Sequence, residues 1–212
     1  MDNMNNINII DVEKENIVNN KNVENVLKNN TEDNNTEITC EGRKKNIILI
    51  GMPGSGKSTL GVVLAKKLGY SFIDSDIVIQ DTYGCTLEEL IDKHGDAGFI
   101  QIENDVNCHI SPEHTIIATG GSAVYGKEAM EHFKNIGTVI YLKVSEKELE
   151  SRLGSLKERG VVSNGKTTIE EIFTDRKRLY EKYADMVIEQ EGMDIRAIVE
   201  DMYAKIVKDI QP

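Results

Sequence analysis

The stretch that decides the fold reads Gly51-Met52-Pro53-Gly54-Ser55-Gly56-Lys57-Ser58-Thr59. It follows the continuous apolar run Asn46–Ile50, which is typical of a strand covered on both faces. Apolar residues at helical spacing come after it, and Gly69 supplies a helix stop. A glycine-rich turn matches this pattern by chance in about one chain per hundred. The flanking strand and helix make such a chance match rarer still. The stretch therefore predicts a phosphate-binding loop. The helical apolar positions are Leu60, Val63, Leu64 and Leu68.

The predicted loop assigns a task to each of its residues. Glycines let backbone N–H groups curl around phosphate oxygens, and the following helix N-terminus adds its dipole. We expect Lys57 to lie on the β and γ phosphates of ATP and the Ser58 hydroxyl to ligate Mg²⁺. ATP and Mg²⁺ are therefore the expected cofactors. The remaining expected nucleotide-binding residues are Gly51, Gly54, Ser55, Gly56 and Thr59.

Strands and helices alternate along the rest of the chain, which predicts an α/β fold. We expect five parallel strands with helices on both faces, the arrangement of a P-loop kinase. In such sheets ligands bind at the carboxyl ends of the strands. Possible capping boxes at Thr86, Ser145 and Thr168 predict three helix starts. The later predicted strands are Ser71–Asp74, Thr115–Ala118, Thr138–Leu142 and Met186–Ile188.

The chain divides into a tail, residues 1–43, and a domain, residues 44–212. The tail is rich in Asn and acidic residues and holds no aromatic residue, so it cannot bury enough apolar surface to order itself. It resembles neither a signal peptide nor a transit peptide. We therefore expect a disordered tail and a cytoplasmic protein.

Charge and cysteine content narrow the range of partners. The net charge of -11 argues against nucleic acid and anionic membranes, which attract basic surfaces. Cys40, Cys85 and Cys108 have no metal-ligand spacing, and we interpret them as ordinary thiols. The expected partner is a small molecule, and a monomer is expected.

Two carboxylates follow the second predicted strand. Because side chains alternate along a strand, Asp74 and Asp76 point the same way as long as the strand continues. One acid suits magnesium and the other suits orienting or deprotonating an attacking hydroxyl. The alternative is a helix N-cap followed by a solvated loop acid. The position directly after a phosphate loop, helix and strand favours the functional reading.

Arginines and glycines mark the rest of the predicted site. Thr119-Gly120-Gly121 follows the third predicted strand, although such a turn alone is weak evidence. Arginine suits carboxylate or phosphate binding, and the competing explanation is a solvated helix face with ion pairs. The polar segment at about 154–166 lies between capped helices, as a mobile lid does. Four of the few arginines lie close together, namely Arg152, Arg159, Arg176 and Arg178.

These motifs together resemble the shikimate kinase family over roughly residues 46–210. The segments that carry the resemblance are GMPGSGKST, FIDSD, ATGGSAV, an Arg-Gly pair in the lid and DRKRLYEKYAD. The resemblance implies that Asp74 lies near the metal and that Asp76 contacts substrate hydroxyls as the base. It also implies that Gly120 and Gly121 line the substrate. By the same resemblance, Arg152 packs on adenine, Arg159 is the catalytic lid arginine that also contacts substrate, and Arg176 holds the substrate carboxylate.

The chain departs from the family pattern at two positions. Ile100 stands where the family has an arginine that helps bind the shikimate carboxylate, and Ser122 replaces a third glycine. Losing one charge-assisted contact costs about 1.5–3 kcal/mol. Gln101 points about 100° away on a helix and is a poor replacement.

Three functions remain open from the sequence. The first is ATP-dependent phosphorylation of a shikimate hydroxyl, a step of aromatic amino acid biosynthesis. The second is the same chemistry on a different small hydroxy acid, which the Ile100 departure favours. The third is a non-catalytic nucleotide-binding module, against which the presence of Lys57, Ser58, Asp74 and Asp76 argues.

Overall fold

The computed structural model describes residues 46–153, Val162 and residues 168–210. The predicted tail, residues 1–43, lies outside the described residues. So does the predicted lid, residues 154–166, apart from Val162. The division into tail, domain and lid therefore stays a prediction.

Within the described residues, five strands form one parallel sheet, and this confirms the predicted fold class. The order across the sheet is β2-β3-β1-β4-β5. Ile48 in the central strand is level with Ile117 on one side and Val139 on the other. The central strand is buried along its length, which explains its continuous apolar run. The strands are β1 Asn46–Ile50, β2 Ser71–Asp74, β3 Thr115–Ala118, β4 Gly137–Lys143 and β5 Met186–Glu189.

Helices connect the strands, and most begin where the sequence predicts. Thr86 and Thr168 each form a reciprocal capping box with the glutamate three residues on. At Ser145 the Glu148 amide donates a 3.4 Å hydrogen bond to the serine hydroxyl. A 3-10 turn covers Ala123–Tyr125. The helices are α1 Lys57–Leu68, α2 Ser75–Tyr83, α3 Leu87–His109, α4 Lys127–Ile136, α5 Glu146–Leu153, α6 Ile169–Tyr183 and α7 Ile195–Ile210.

The structure corrects one predicted core position. Val63 was expected on the apolar face of α1, but it is 42% exposed. Leu60, Leu64 and Ala65 are buried instead. Gly61 lets this helix approach the sheet, because a Cβ there would lie 2.6 Å from the Phe72 ring. The face that α1 turns to the sheet therefore contains Leu60, Gly61 and Leu64, and Val63 lies outside it.

The two sheet faces carry separate apolar layers. Alternate residues of β1 point to opposite faces, so Ile47 and Leu49 pack with α1 and α7, whereas Ile48 and Ile50 pack with α4 and α6. A third cluster is formed by α2, α3 and Val162. Helix α3 kinks at Gly95, where φ is 68°. No helix among the described residues has the length and apolar character needed to cross a membrane.

Candidate active site

Three neighbouring strands bring the predicted site residues to one edge of the sheet. The chain leaves β1, β2 and β3 at their carboxyl ends, and these strands lie side by side in the order β2-β3-β1. A cavity of about 290 Å³ opens there. Arg176 from α6 and Glu103 from α3 reach it from other elements. The predicted residues that line it are Gly54, Gly56, Lys57, Ser58, Thr59, Asp76, Gly120, Gly121 and Arg176.

The phosphate loop is held in a tight curve. Gly51 has φ 151°, and a Cβ there would lie 2.8 Å from the Leu142 carbonyl oxygen, so only glycine fits. Gln190, just after β5, donates a 2.9 Å hydrogen bond to the Ser55 carbonyl. Ser55 is itself fully buried. Gly51 and Ser55 thus shape the loop from behind the cavity.

Lys57 lies inside this curve. Its ammonium group donates hydrogen bonds to the carbonyls of Gly51 and Met52, at 2.8 and 3.0 Å. Burial lowers the pKa of Lys57 to about 8, and Asp76 opposes that shift. A lysine ammonium group beside a phosphate loop at a helix N-terminus can bind phosphate.

Ser58 and Asp74 form an oxygen pair beside the loop. The Ser58 hydroxyl donates a 2.5 Å hydrogen bond to Asp74 Oδ2. Mg²⁺ prefers oxygen ligands and usually keeps several waters, so a hydroxyl and one carboxylate suit it. These two residues fit the predicted metal site.

The expected strand alternation of the two acids is wrong. Strand β2 ends at Asp74, which caps helix α2 by accepting a 3.1 Å hydrogen bond from the Asp76 amide. Asp74 is thus an N-cap, as the alternative reading held, but Asp76 lines the cavity instead of lying in a solvated loop. Burial, with help from Asp74, raises the pKa of Asp76 to about 6. A carboxyl group of this kind is suited to proton exchange near neutral pH.

Arg176 is fixed by several contacts. Its side chain is 1% exposed, and it donates hydrogen bonds to the Val162 carbonyl at 2.5 Å and to the Tyr125 hydroxyl at 3.4 Å. Tyr125 in turn donates a 2.6 Å hydrogen bond to Asp175. Arginine stays charged even when buried, so Arg176 supplies a fixed cation for an anionic ligand.

The glycine pair after β3 lies between Arg176 and the buried carboxyl group of Glu103. A Cβ at Gly121 would lie 3.0 Å from an Arg176 nitrogen, and a Cβ at Gly120 would overlap Glu103 Oε1. Tyr180 donates a 2.6 Å hydrogen bond to the Gly121 carbonyl and holds the pair in place. The pair therefore exposes backbone to the cavity between one cation and one carboxyl group.

Glu103 is the site residue that sequence reasoning missed. It is 1% exposed on α3 and lines the cavity. Burial raises its pKa to about 7; Asp76 adds to the shift, while Ser122, Arg176 and Lys57 oppose it. One signal was present, because Phe99, Glu103 and Val106 share a helical spacing of four and three residues. An acidic residue on that apolar stripe marks an unusual position.

The positions around the Ile100 departure supply no cation to the cavity. Ile100 packs with the apolar cluster of α2 and α3. Gln101 points away and donates a 2.7 Å hydrogen bond to Asp105, as its predicted direction implies. Ser122, the second departure, lines the cavity.

Of the three remaining predicted arginines, only Arg178 has a side chain among the described residues. Arg178 lies on α6 beside a separate groove with Thr174 and Lys182. Arg159 and the side chain of Arg152 lie outside the described residues. Their adenine and lid roles stay predictions.

Proteins of known family resemble this chain in sequence and in fold. The shikimate kinase family model matches residues 53–208. A shikimate kinase from Thermodesulfovibrio yellowstonii is 37% identical over 79% of this chain and 95% of that protein. One from Francisella philomiragia is 35% identical over 79% of this chain and 97% of that protein. The structure of an Acinetobacter baumannii shikimate kinase in complex with shikimate superposes with a TM-score of 0.73, at 29% identity, over 81% of this chain and 97% of that one.

Proposed function

This chain belongs to the shikimate kinase family, and from that premise we propose that it transfers the γ-phosphoryl group of ATP to a hydroxyl of shikimate. The observation that carries the proposal is one cavity that holds Lys57, Asp76 and Arg176 together. These supply a phosphate-binding cation, a carboxyl group for the attacking hydroxyl and a cation for the acceptor carboxylate.

The nucleotide side of the cavity is the phosphate loop. Backbone amides of residues 54–59 and the ammonium group of Lys57 bind the phosphates, and the tight curve at Gly51 sets their direction. Ser58 and Asp74 would hold Mg²⁺, which neutralises phosphate charge when bound. Electrostatic stabilisation of this kind is the main catalytic contribution in phosphoryl transfer.

The acceptor side lies across Gly120 and Gly121. Asp76 accepts a hydrogen bond from the attacking hydroxyl and takes its proton as the new P–O bond forms, while the bond from the γ phosphorus to the bridging oxygen breaks and ADP leaves. Arg176 binds the carboxylate of the acceptor, and its contacts with Val162 and Tyr125 hold it ready. Asp76 and Arg176 therefore orient the acceptor between them.

A different small hydroxy acid is the second candidate acceptor. The supporting observation is that Lys57 and Arg176 are the cations among the described residues lining the cavity, while Ile100 packs into an apolar cluster. We also propose that the chain is a cytoplasmic monomer and that Arg159 acts as the lid arginine, whichever acceptor is used.

An assay of ADP release with the full chain tests the function. Shikimate should stimulate ADP release from Mg-ATP more than quinate, gluconate or nucleoside monophosphates at equal concentration. Asp76→Asn should lower this shikimate-dependent rate by about 10²- to 10⁴-fold while nucleotide binding persists. A chain that binds ATP but shows no shikimate-dependent ADP release at millimolar shikimate would contradict the proposal.

A further inference from the structure

The buried carboxyl group of Glu103 lies near the Ser122 side chain, which opposes the burial-driven rise of its pKa without forming a well-aligned hydrogen bond. Neither of its oxygens accepts a well-formed hydrogen bond from any residue the structure describes. Yet Glu103 is 1% exposed and faces the cavity. A buried polar group without a partner is costly, so such a group in a ligand cavity points to a contact made by the ligand.

The charges around Glu103 come from three other helices. Lys57 on α1 and Arg176 on α6 favour its ionised form, and Asp76 on α2 disfavours it. Neither of the two cations forms an ion pair with Glu103 within the described part of the chain. Ile100 precedes Glu103 by three residues on α3, the spacing at which helix side chains meet, and it brings no charge.

The position of Glu103 relative to Arg176 decides what it can contact. Gly120 borders Glu103 and the next residue, Gly121, borders Arg176. A ligand lying on these two glycines therefore reaches both side chains. An acceptor carboxylate bound by Arg176 would be repelled by an ionised Glu103, but it would accept a hydrogen bond from a protonated one.

We propose that Glu103 binds the acidic acceptor directly, in its protonated form, so that acceptor binding takes up as much as one proton from solvent. The proton goes to a Glu103 carboxyl oxygen, and the resulting O–H donates to the acceptor carboxylate beside Arg176. Protonated Glu103 then gives the acceptor carboxylate a neutral hydrogen-bond donor, where the family has an arginine at the position of Ile100. This inference rests on the proposed function, since it assigns the way in which the same site recognises its acceptor.

The proposal makes acceptor affinity depend on pH. Burial raises the pKa of Glu103 to about 7, so its free carboxyl group is mostly ionised at pH 8.5. Binding must then restore the proton, and the Kd for shikimate should rise about tenfold from pH 7 to pH 8.5. Lys57 and Asp76 titrate nearby, with pKa values of about 8 and about 6, so the measurement needs a reference ligand.

Methyl shikimate is that reference, because its ester has no charge but meets the same Lys57 and Asp76. We expect the ratio of the two Kd values, shikimate over methyl shikimate, to rise about tenfold from pH 7 to 8.5 in the full chain. Calorimetry in two buffers of different ionisation enthalpy should show uptake of roughly 0.5–1 proton per shikimate at pH 7.5. A ratio constant within about twofold would overturn the inference.

Two variants separate Glu103 from the other groups. Glu103→Gln keeps a neutral hydrogen-bond donor but cannot titrate, so the ratio should become flat with pH and the proton uptake should be lost. Ile100→Arg places a cation three residues before Glu103 and should ionise it, which also flattens the ratio and tightens shikimate binding at pH 8.5.

The outcomes distinguish this inference from the proposed function. Unchanged proton uptake in Glu103→Gln would overturn the inference while leaving shikimate phosphorylation in place. Absence of shikimate binding and turnover at every pH would overturn the proposed function and the inference with it.

Discussion

The Ser58 hydroxyl donates a 2.5 Å hydrogen bond to Asp74 Oδ2, and this contact joins the phosphate loop to the end of β2. Asp74 also caps helix α2. The same carboxylate therefore starts the helix that carries Asp76 and completes an oxygen pair suited to Mg²⁺. The proposed metal site and the placement of the candidate base are therefore linked through Asp74.

Asp74→Asn tests the metal role without loss of the cap, since Asn caps helices as well as Asp does. The variant loses a charged ligand, so the Mg²⁺ concentration that gives half-maximal ADP release should rise about tenfold or more. Asp81→Asn is a matched control, because it removes the same charge from an exposed position on α2. An unchanged Mg²⁺ requirement in Asp74→Asn would show that this carboxylate does not serve the metal.

Gly120→Ala tests how closely the acceptor must approach the backbone. The added Cβ would overlap Glu103 Oε1 and lie 2.8 Å from Asp76 Oδ1. We expect kcat/KM for shikimate to fall about a hundredfold, since misplacing a reacting group by about 1 Å has that effect. Gly84→Ala strains a left-handed residue that lies in open space and does not line the cavity, so it should cost stability but not activity. Equal activity losses in the two variants would refute the steric explanation.

Tyr180→Phe tests the support behind the glycine pair. The variant removes the 2.6 Å hydrogen bond to the Gly121 carbonyl and leaves that oxygen without this donor. Urea unfolding should show a loss of about 1–3 kcal/mol in the free energy of unfolding. The control Tyr83→Phe changes a side chain that is 45% exposed and should stay within about 0.5 kcal/mol of wild type. A loss no larger than the control's would mean that the bond adds no stability.

Glu103 should also make stability depend on pH. The folded chain retains the Glu103 proton up to about pH 7, against an ordinary pKa of 4.5, because the group is buried. Because the folded pKa of Glu103 is higher than the unfolded one, the stability that the protonated group gives below pH 4.5 is lost as the pH rises to about 7. From the size of the shift, Glu103→Gln should gain up to roughly 3 kcal/mol relative to wild type between pH 4.5 and pH 8. Urea unfolding at both pH values measures this gain, and a difference that does not change with pH would contradict it.

Much of the fold followed from local sequence signals. The β1 run, the glycine loop and the capping boxes at Thr86 and Thr168 each act over a few residues, and the structure confirms them. The exposure of Val63 could not be predicted in this way, because it depends on how closely Gly61 approaches Phe72. That contact joins two elements and leaves no local pattern.

The candidate site was predictable where a motif names its residues. Lys57, Asp76 and Arg176 lie together, as the motif order led us to expect. Glu103 was missed although it lies on an apolar stripe of α3, because its position beside Gly120 depends on how α3 packs against the loop after β3. The alternation expected for Asp74 and Asp76 failed because the chain changes from strand to helix between them.

The most direct test of the account is to identify the phosphorylated product. Incubation of the full chain with Mg-ATP and shikimate should yield ADP and a shikimate monophosphate in equal amounts. Phosphorus-31 NMR and mass spectrometry measure the two products. Asp76→Asn should yield neither product at a comparable rate. ADP accompanied by free phosphate, with shikimate unchanged, would contradict the claim that Lys57, Asp76 and Arg176 form a phosphotransfer site for this acceptor.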